Sequence, residues 1–211
     1  MNNQKNIFIG LGILVAIAVL GAIYFFFGPP ANDRMVVTNV IENIKNEDLR
    51  FSFSYESGET ALSSMETPNQ TEDKDLLKMY VLMQSEALDE FNKNKATGSA
   101  TEAPPAISVL VFNRATTTET SNATSTSIDR IKQWAEDNSK FTSINLVQGN
   151  VEETKIDGAS AIHYKADGLY KQDVYVVRYG KKMYLFVGQS LEDGDYMQTA
   201  FSKLMETVIF E

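Results

Sequence analysis

The chain opens with an apolar run that begins at Ile7, ends at Phe27 and contains no charged side chain. As a helix, this run would span about 31 Å, close to the thickness of the hydrocarbon core of a bilayer. It ends in four aromatic residues, a type that favours the membrane interface, and a Gly-Pro-Pro sequence then stops the helix. Residues 7–27 are therefore predicted to form a transmembrane helix.

A cleaved signal peptide is the alternative interpretation of this run. Signal peptides have an apolar core of about 7–15 residues and a cleavage site of small residues, whereas this run is longer and ends in bulky rings. We therefore favour a retained signal anchor, with residues 1–6 as a short cytoplasmic head and the C-terminal part outside the cytoplasm. Lys5, Arg34 and Lys45 do not fix this orientation, but large domains cross a membrane largely regardless of charge.

Alternation of apolar and polar residues begins after a connector over residues 28–48. Within the connector, residues 35–44 fit either a strand or a helix. The side chains that then fall on one face are Leu49, Phe51, Phe53 and Tyr55. Strict alternation of this kind predicts a strand with one buried face. A turn at Gly58 and a returning strand over residues 60–65 are expected to follow.

Residues 76–91 support two interpretations. Their apolar residues recur at helical spacing, but residues 79–83 alone also fit a buried strand, with a short helix capped by Ser85 behind it. We favour the strand followed by the helix. A loop is predicted over residues 92–105, and the almost wholly apolar residues 107–112 are predicted to form a central strand of the sheet.

A segment rich in threonine and serine, residues 116–127, has the composition of a mobile loop. Thr126 or Ser127 is then expected to cap a helix that runs to about residue 138. The single tryptophan, Trp134, falls on the apolar stripe of this helix. We expect it to anchor the core rather than to form a platform for a ligand.

Short strands and turns fill the rest of the chain. The predicted elements are strands over residues 151–156 and 159–165 around a turn at Asp157 and Gly158, a hairpin of residues 173–179 and 183–189 around Gly180, a helix capped by Asp195 with Gln198 as capping-box partner, and an edge strand over residues 208–210. The predicted fold class is α+β. An N-terminal transmembrane helix precedes an antiparallel β-sheet domain, residues 49–211, that is flanked by helices.

Composition narrows the classes of function. The chain has a net charge of −9, and Lys5 is the sole charged residue before Asp33, so the part beyond the anchor is the more acidic. An acidic surface repels nucleic acid and anionic lipid headgroups. Because the chain contains no cysteine, disulfides, thiolate nucleophiles, iron–sulfur clusters and thiolate zinc sites are excluded.

His163 is the only histidine, and it is therefore the first candidate for a catalytic side chain. Strand alternation places it on one face with Ala159 and Ala161, opposite Ile162 and Tyr164. Serine–histidine catalysis needs a nucleophile that this base orients, and the chain has no Gly-x-Ser-x-Gly segment. A structural role is therefore expected for His163.

Two further features are candidate ligand sites: the acidic segment over residues 192–195 and the tyrosines within residues 170–186. The acidic residues 192–195 are better explained by helix capping than by calcium, which needs several spaced oxygen ligands. The tyrosines within residues 170–186 are expected to pack in the core, with an exposed ligand-binding face as the alternative. We therefore assign no catalytic, cofactor-binding or metal-binding residue, and we expect no cofactor.

A set of segments, in its order along the chain, carries a family resemblance. The segments are residues 51–55, residues 104–112, the helix of Trp134, residues 155–159, the hairpin over residues 180–188 and residues 201–210. In this order they resemble the PsbP-like family, and especially its bacterial members with a single N-terminal membrane anchor. Glu56 and Glu59 stand where many members have proline and tryptophan. The resemblance covers about residues 49–211 and implies a curved antiparallel sheet flanked by helices, with a binding or assembly role.

The leading hypothesis is a membrane-anchored, extracytoplasmic binding or assembly module that is not an enzyme. Its expected partners are the membrane, through residues 7–27, and another membrane or envelope protein, but not nucleic acid. Two alternatives stay open: a carboxylate-dependent hydrolase at the cell envelope, and an accessory ligand-binding domain of a sensor or transporter. The hydrolase would need two close carboxylates in a cleft, and the accessory domain a pocket lined by tyrosines.

Overall fold

The computed structural model describes residues 40–66, 75–98, 102–113 and 127–211. The transmembrane helix predicted over residues 7–27 lies outside the described residues, as does the loop predicted over residues 116–127 except for Ser127. Within the described residues, no helix is both long enough and apolar enough to cross a bilayer.

The described elements are strands and short helices. The strands are β1 (Val40–Asn46), β2 (Phe51–Ser57), β3 (Thr60–Glu66), β4 (Leu76–Gln84), β5 (Ala106–Asn113), β6 (Val147–Ile156), β7 (Ala159–Asp167), β8 (Lys171–Tyr179), β9 (Lys182–Ser190) and β10 (Ile209–Phe210). The helices are α1 (Ser85–Ala96), α2 (Ser127–Asp137), α3 (Ser139–Thr142) and α4 (Tyr196–Glu206), with a 3-10 turn over Ile144–Leu146.

All the strands join one sheet in the order β1-β2-β3-β4-β5-β9-β8-β7-β6, and β10 pairs with β2. Neighbouring strands are antiparallel except β2 and β3, which meet in parallel through the single pair Ser57 and Thr60. The predicted antiparallel sheet is therefore mixed. The reason is local: the chain turns at Gly58 with φ of 107°, and β3 then pairs along β4 instead of returning along β2.

The central strand β5 lies between β4 and β9 and is buried on both faces. Ile107, Val109 and Val111 face one hydrophobic cluster, and Leu110 and Phe112 face the other. The prediction of a central strand over residues 107–112 is thus confirmed. A strand with two buried faces requires a covering layer on each side of the sheet.

Helix α4, together with β2 and β10, covers the first face. Phe201 and Leu204 of α4 are buried there, as are Phe51 and Phe53 of β2. The Phe51 and Tyr184 rings lie 5.3 Å apart, between centroids, in a tilted arrangement. The alternation predicted from Leu49 to Tyr55 therefore packs the aromatic side of β2 into the hydrophobic cluster beneath α4.

Helix α2 covers the second face. Ile131 and Ala135 are fully buried, and the Trp134 ring meets Phe112 edge-on with 5.1 Å between centroids. The expectation that Trp134 anchors the core is confirmed. Thr142 fixes the end of the next helix, α3, because its hydroxyl donates to the carbonyl oxygen of Ala135 at 2.7 Å.

The strand-then-helix interpretation of residues 76–91 is confirmed by β4 and α1. Two details are wrong. Ser85 is the first residue of α1 rather than its cap, and its hydroxyl instead donates to the carbonyl oxygen of Gly58 at 3.0 Å. The helix also continues to Ala96, so the loop predicted over residues 92–105 begins too early.

Most of the turns and strands predicted for the second half are present, and several of the strands are longer than predicted. Asp157 and Gly158 have φ values of 46° and 77°, and they form the predicted tight turn between β6 and β7. Strand β6 begins at Val147, before the predicted start, and accommodates a bulge after Gln148. Within the segment that fits a strand or a helix, residues 35–44, the structure places a strand from Val40 onward.

Gly188 allows α4 to approach the sheet closely. A Cβ atom at this position of β9 would overlap Cγ and Cδ1 of Phe201 and lie 2.8 Å from the Cβ of Phe201. The ring of Phe201 therefore rests directly on the backbone of β9, and only a residue without a side chain fits beneath it.

We predict that Gly188→Ala destabilises the fold by about 1–3 kcal/mol, because the extra methyl group forces Phe201 or α4 to move. Gly168→Ala is the matched control, since its Cβ would lie at ordinary contact distances of 3.5 Å from Gln172 and 3.6 Å from Leu146. Urea unfolding followed by circular dichroism measures both. Equal stability of the two variants would contradict this account.

Thr207 completes the inner edge of β2. The backbone N–H of Ser54 donates to the Thr207 hydroxyl oxygen at 2.8 Å, and that hydroxyl donates to the carbonyl oxygen of Leu204 at 2.8 Å. The same edge pairs with β10 at Phe51 and Ser52. One side chain therefore satisfies a backbone group of a strand and ends helix α4 at the same time.

We expect Thr207→Val to cost about 1–3 kcal/mol of unfolding free energy, because the N–H of Ser54 loses its partner while the shape of the side chain is kept. Thr199→Val serves as the control, since Thr199 is exposed and its hydroxyl donates to the carbonyl oxygen of Asp195, the cap of the same helix. Its expected cost is below about 0.5 kcal/mol. The interpretation fails if both variants lose the same stability in thermal unfolding.

Candidate functional site

His163 lies in the middle of β7, on the sheet face that α4 partly covers. Ala161 on the same strand belongs to the cluster under α4, while Ile162 and Tyr164 belong to the cluster under α2. The predicted alternation around the histidine is therefore confirmed. His163 is 22% exposed at its side chain, so it is accessible from one side only in part.

Two carboxylates face the imidazole ring. His163 Nε2 lies 2.5 Å from Asp173 Oδ1, and His163 Nδ1 lies 3.8 Å from Glu152 Oε2. The ring also stacks on Tyr175, with 4.3 Å between centroids and 17° between planes. We call Glu152, His163, Asp173 and Tyr175 the His163 cluster.

The strand register assembles this cluster. Glu152 of β6 and Tyr175 of β8 lie directly opposite His163 on either side, and Asp173 is the diagonal neighbour two residues before Tyr175. Cross-strand pairs of this kind lie about 4.5–5.5 Å apart at Cβ. Asp173 was missed by sequence reasoning. The tight turn at residues 157–158 fixes the pairing of β6 with β7 and so places Glu152 opposite His163. The turn between β7 and β8 is longer, so the sequence does not fix which residue of β8 reaches His163.

The chemistry available to the His163 cluster is limited by its partners. Both ring nitrogens face carboxylates, and in the described part of the chain no hydroxyl group is hydrogen-bonded to the ring. A serine–histidine pair requires that bond. No group of three or more His, Cys, Asp or Glu residues that could hold a metal ion occurs within residues 40–66, 75–98, 102–113 and 127–211. The geometry suits a hydrogen bond between His163 and Asp173 that joins β7 to β8.

Tyr175 contributes a neutral ring to the cluster. Partial burial raises the pKa of its hydroxyl, and the charges of Asp173 and Glu152 raise it further. A phenolate is therefore disfavoured at this position. The stacked ring acts as an apolar floor for His163 and lies 6.0 Å, between centroids, from Phe201 of α4.

The acidic stretch over residues 192–195 is engaged in folding. Asp195 Oδ1 accepts from the N–H of Gln198 at 2.8 Å, and Oδ2 accepts from the N–H of Leu191 at 2.7 Å, so the predicted cap of α4 is confirmed. The capping box differs in one bond, because the Gln198 side chain accepts from the N–H of Gly194 rather than from that of Asp195. Asp193 pairs with Lys171 at 3.2 Å.

The tyrosines of the second half also have partners in the fold. The Tyr170 hydroxyl donates to the carbonyl oxygen of Ala103 at 2.7 Å. The Tyr184 hydroxyl donates to the carbonyl oxygen of Leu49, and burial raises the pKa of Tyr184 to about 12. Tyr179 stacks on Phe210 with 4.9 Å between ring centroids. Packing therefore explains these rings, as expected.

No known protein-family profile matches the chain, and no curated protein sequence matches it significantly. Among solved structures, it is similar to cyanobacterial PsbP (CyanoP) from Synechocystis sp. PCC 6803, with a TM-score of 0.50 and 14% sequence identity over 87% of this chain and 100% of that chain. The chain thus has a PsbP-like fold, and the resemblance is confirmed at the level of the fold.

We predict that the buried tyrosines make the fold sensitive to alkali. A tyrosine of the unfolded chain ionises near its ordinary pKa of about 10, whereas folding raises the pKa of Tyr184 to about 12 and also raises that of Tyr164. The unfolded state then binds fewer protons, so the free energy of unfolding falls as pH rises from about 10 toward the folded pKa. Urea unfolding at a series of pH values measures this slope.

Tyr184→Phe is expected to make that slope shallower, because it removes one of the groups with a raised pKa. Val177→Ala is the control, since this buried side chain does not titrate and its loss lowers stability at every pH alike. If Tyr184→Phe keeps the full alkaline slope of the unchanged protein, the linkage assigned to Tyr184 is wrong.

Proposed function

We propose that this chain, whose fold is PsbP-like, is a single-pass membrane protein that binds a membrane or envelope protein and does not catalyse a reaction. Its C-terminal domain lies outside the cytoplasm, and residues 7–27 hold it to the bilayer. The uncharged apolar run supports the anchor. The binding and assembly roles implied by the family resemblance support the function.

A binding role is supported by one observation: the reactive side chains already have structural partners within the fold. His163 is paired with Asp173 and stacked on Tyr175. Asp195 caps α4 with both carboxylate oxygens. Because these groups already stabilise strands and helix ends, a function that needs only the surface agrees best with the structure.

The distance between the apolar run and the sheet supports a close tether. Residues 28–39 separate the run from β1, which begins at Val40. Even if fully extended, such a segment spans at most about 40 Å. A domain on so short a connection stays beside its membrane and meets partners in that membrane at a high effective concentration.

A carboxylate-dependent hydrolase is the second candidate, and one observation favours it. Glu152 and Asp173 both face His163, so two carboxylates lie on the same part of the sheet. Under this alternative, steady hydrolysis of an envelope glycan or peptide by the purified protein would be lost in Asp173→Asn. Under the binding role, that variant changes stability and no steady turnover is found with either protein.

The tether is tested by extraction of membranes with alkaline carbonate. We expect the full chain to remain in the membrane pellet, because a transmembrane helix resists this treatment, and we expect residues 31–211 expressed alone to be released. Val15→Lys with Val19→Lys is the matched change within the run and should weaken retention strongly. Release of the full chain, or a mature chain that begins near residue 32, would overturn the anchor.

A further inference from the structure

Most of the large exposed apolar side chains in the described part of the chain lie at one end of the sheet. The large apolar residues that are exposed in the described part of the chain are Val40 (54%), Ile41 (74%), Leu169 (50%), Leu191 (67%) and Ile209 (52%). Strand register places all of them except Ile209 at the end where the chain enters from residues 1–39. We call this the chain-entry end, and Val40, Ile41, Leu169 and Leu191 define it.

Hydrogen bonds connect the strand ends across this surface. Val40 pairs with Ser57 at the end of β2, and the Ser57 hydroxyl donates to the carbonyl oxygen of Val40 at 3.0 Å. Thr60 at the start of β3 shares a hydrogen bond of 2.7 Å with the Tyr196 hydroxyl at the start of α4. These bonds bring β1, β2, β3 and α4 to the same end of the molecule.

Leu169 and Leu191 belong to the same end. Lys171 at the start of β8 pairs with Ser190 at the end of β9, so both leucines lie just beyond that pair. The N–H of Leu191 donates to Asp195, which caps α4. The loop that presents Leu191 is thus fixed by the helix cap, and its side chain is held outward rather than left on a loose segment.

Carboxylates border these apolar side chains. Exposed acidic residues within four residues of the strand ends here include Glu59, Glu86, Glu102, Asp167, Glu192 and Asp193. The basic residues Lys165 and Lys171 also lie near this end, and Lys171 pairs with Asp193. The opposite end of the sheet is different, since basic residues such as Arg50, Lys181 and Lys182 lie among its acids.

We propose that the chain-entry end is a docking surface for a protein that presents apolar side chains bordered by lysine and arginine. Exposed aliphatic groups gain free energy when a partner covers them, and the surrounding carboxylates select a basic partner and speed its approach. The same carboxylates disfavour an anionic lipid surface as the occupant. A protein is therefore the occupant that matches both the apolar and the charged groups.

The position of this surface also indicates where the partner lies. Residues 28–39 join the chain-entry end to the apolar run, so this end is the one tethered directly to the bilayer. That step rests on the proposed function, and it locates the partner in the same membrane. The chemistry of the surface, apolar with an acidic border, does not depend on the tether.

Photo-crosslinking in the full chain tests the docking surface. The photoreactive residue p-benzoylphenylalanine is placed at position 169, 191 or 209 in separate variants, each expressed in its own host and irradiated in membranes. Positions 169 and 191 are expected to crosslink to one protein segment that contains apolar residues with lysine or arginine beside them. Position 209, equally exposed at the opposite end, is the control and should not reach that segment.

Charge neutralisation provides the second arm. Glu102→Gln combined with Glu192→Gln is expected to lower the crosslinking yield at position 191 by about fivefold, because the electrostatic attraction to the basic border is reduced. Glu47→Gln combined with Glu206→Gln, at the opposite end, should leave the yield unchanged. Circular dichroism of each variant establishes that the fold is retained.

Several results would overturn the docking surface. The proposal fails if positions 169 and 191 give no crosslink, crosslink only to lipid, or capture a segment without basic residues. It also fails if position 209 captures the same segment, or if the Glu102→Gln and Glu192→Gln changes leave the crosslinking yield unchanged. Carbonate extraction separates this outcome from the proposed function. A released chain that still crosslinks to a basic, apolar segment would refute the tether alone, and a retained chain without the crosslinks would refute the docking surface alone.

Discussion

The burial of the central strands on both faces is the constraint on which the rest of the structure depends. Along β5 and β9, alternate side chains enter two separate hydrophobic clusters, and neither cluster can face water without a large loss of stability. The fold therefore needs two covers. Helix α2 supplies one, and α4 with β2 and β10 supplies the other.

The second cover is the more demanding, because it combines a helix with strands. Gly188 removes the side chain that would hold α4 away from the sheet. Thr207 and β10 then satisfy the backbone of β2 along the edge that faces the helix. Polar and small residues that have no role in chemistry thus determine how closely the two layers pack, since a buried backbone group without a partner is costly.

These structural duties support the proposal that the protein functions through its surface. His163, Asp195 and the tyrosines stabilise strand pairs and helix ends, whereas the exposed leucines and carboxylates at the chain-entry end have no comparable duty in the core. The order of the strands places that surface at the end of the sheet where β1 begins. An apolar end bordered by carboxylates agrees with the proposed recognition of another protein.

The sequence by itself determined the elements whose signals are local. The alternation around Phe51, the two-sided apolar run over residues 107–112, the Asp157–Gly158 turn and the Asp195 cap each depend on neighbours a few residues apart, and the structure confirms them. Only the tertiary structure decided that β3 runs along β4 and meets β2 at a single pair, that Asp173 reaches His163, and that Leu169 and Leu191 lie at the same end of the sheet. These arrangements depend on the register between strands distant in the chain, which periodicity along one strand cannot specify.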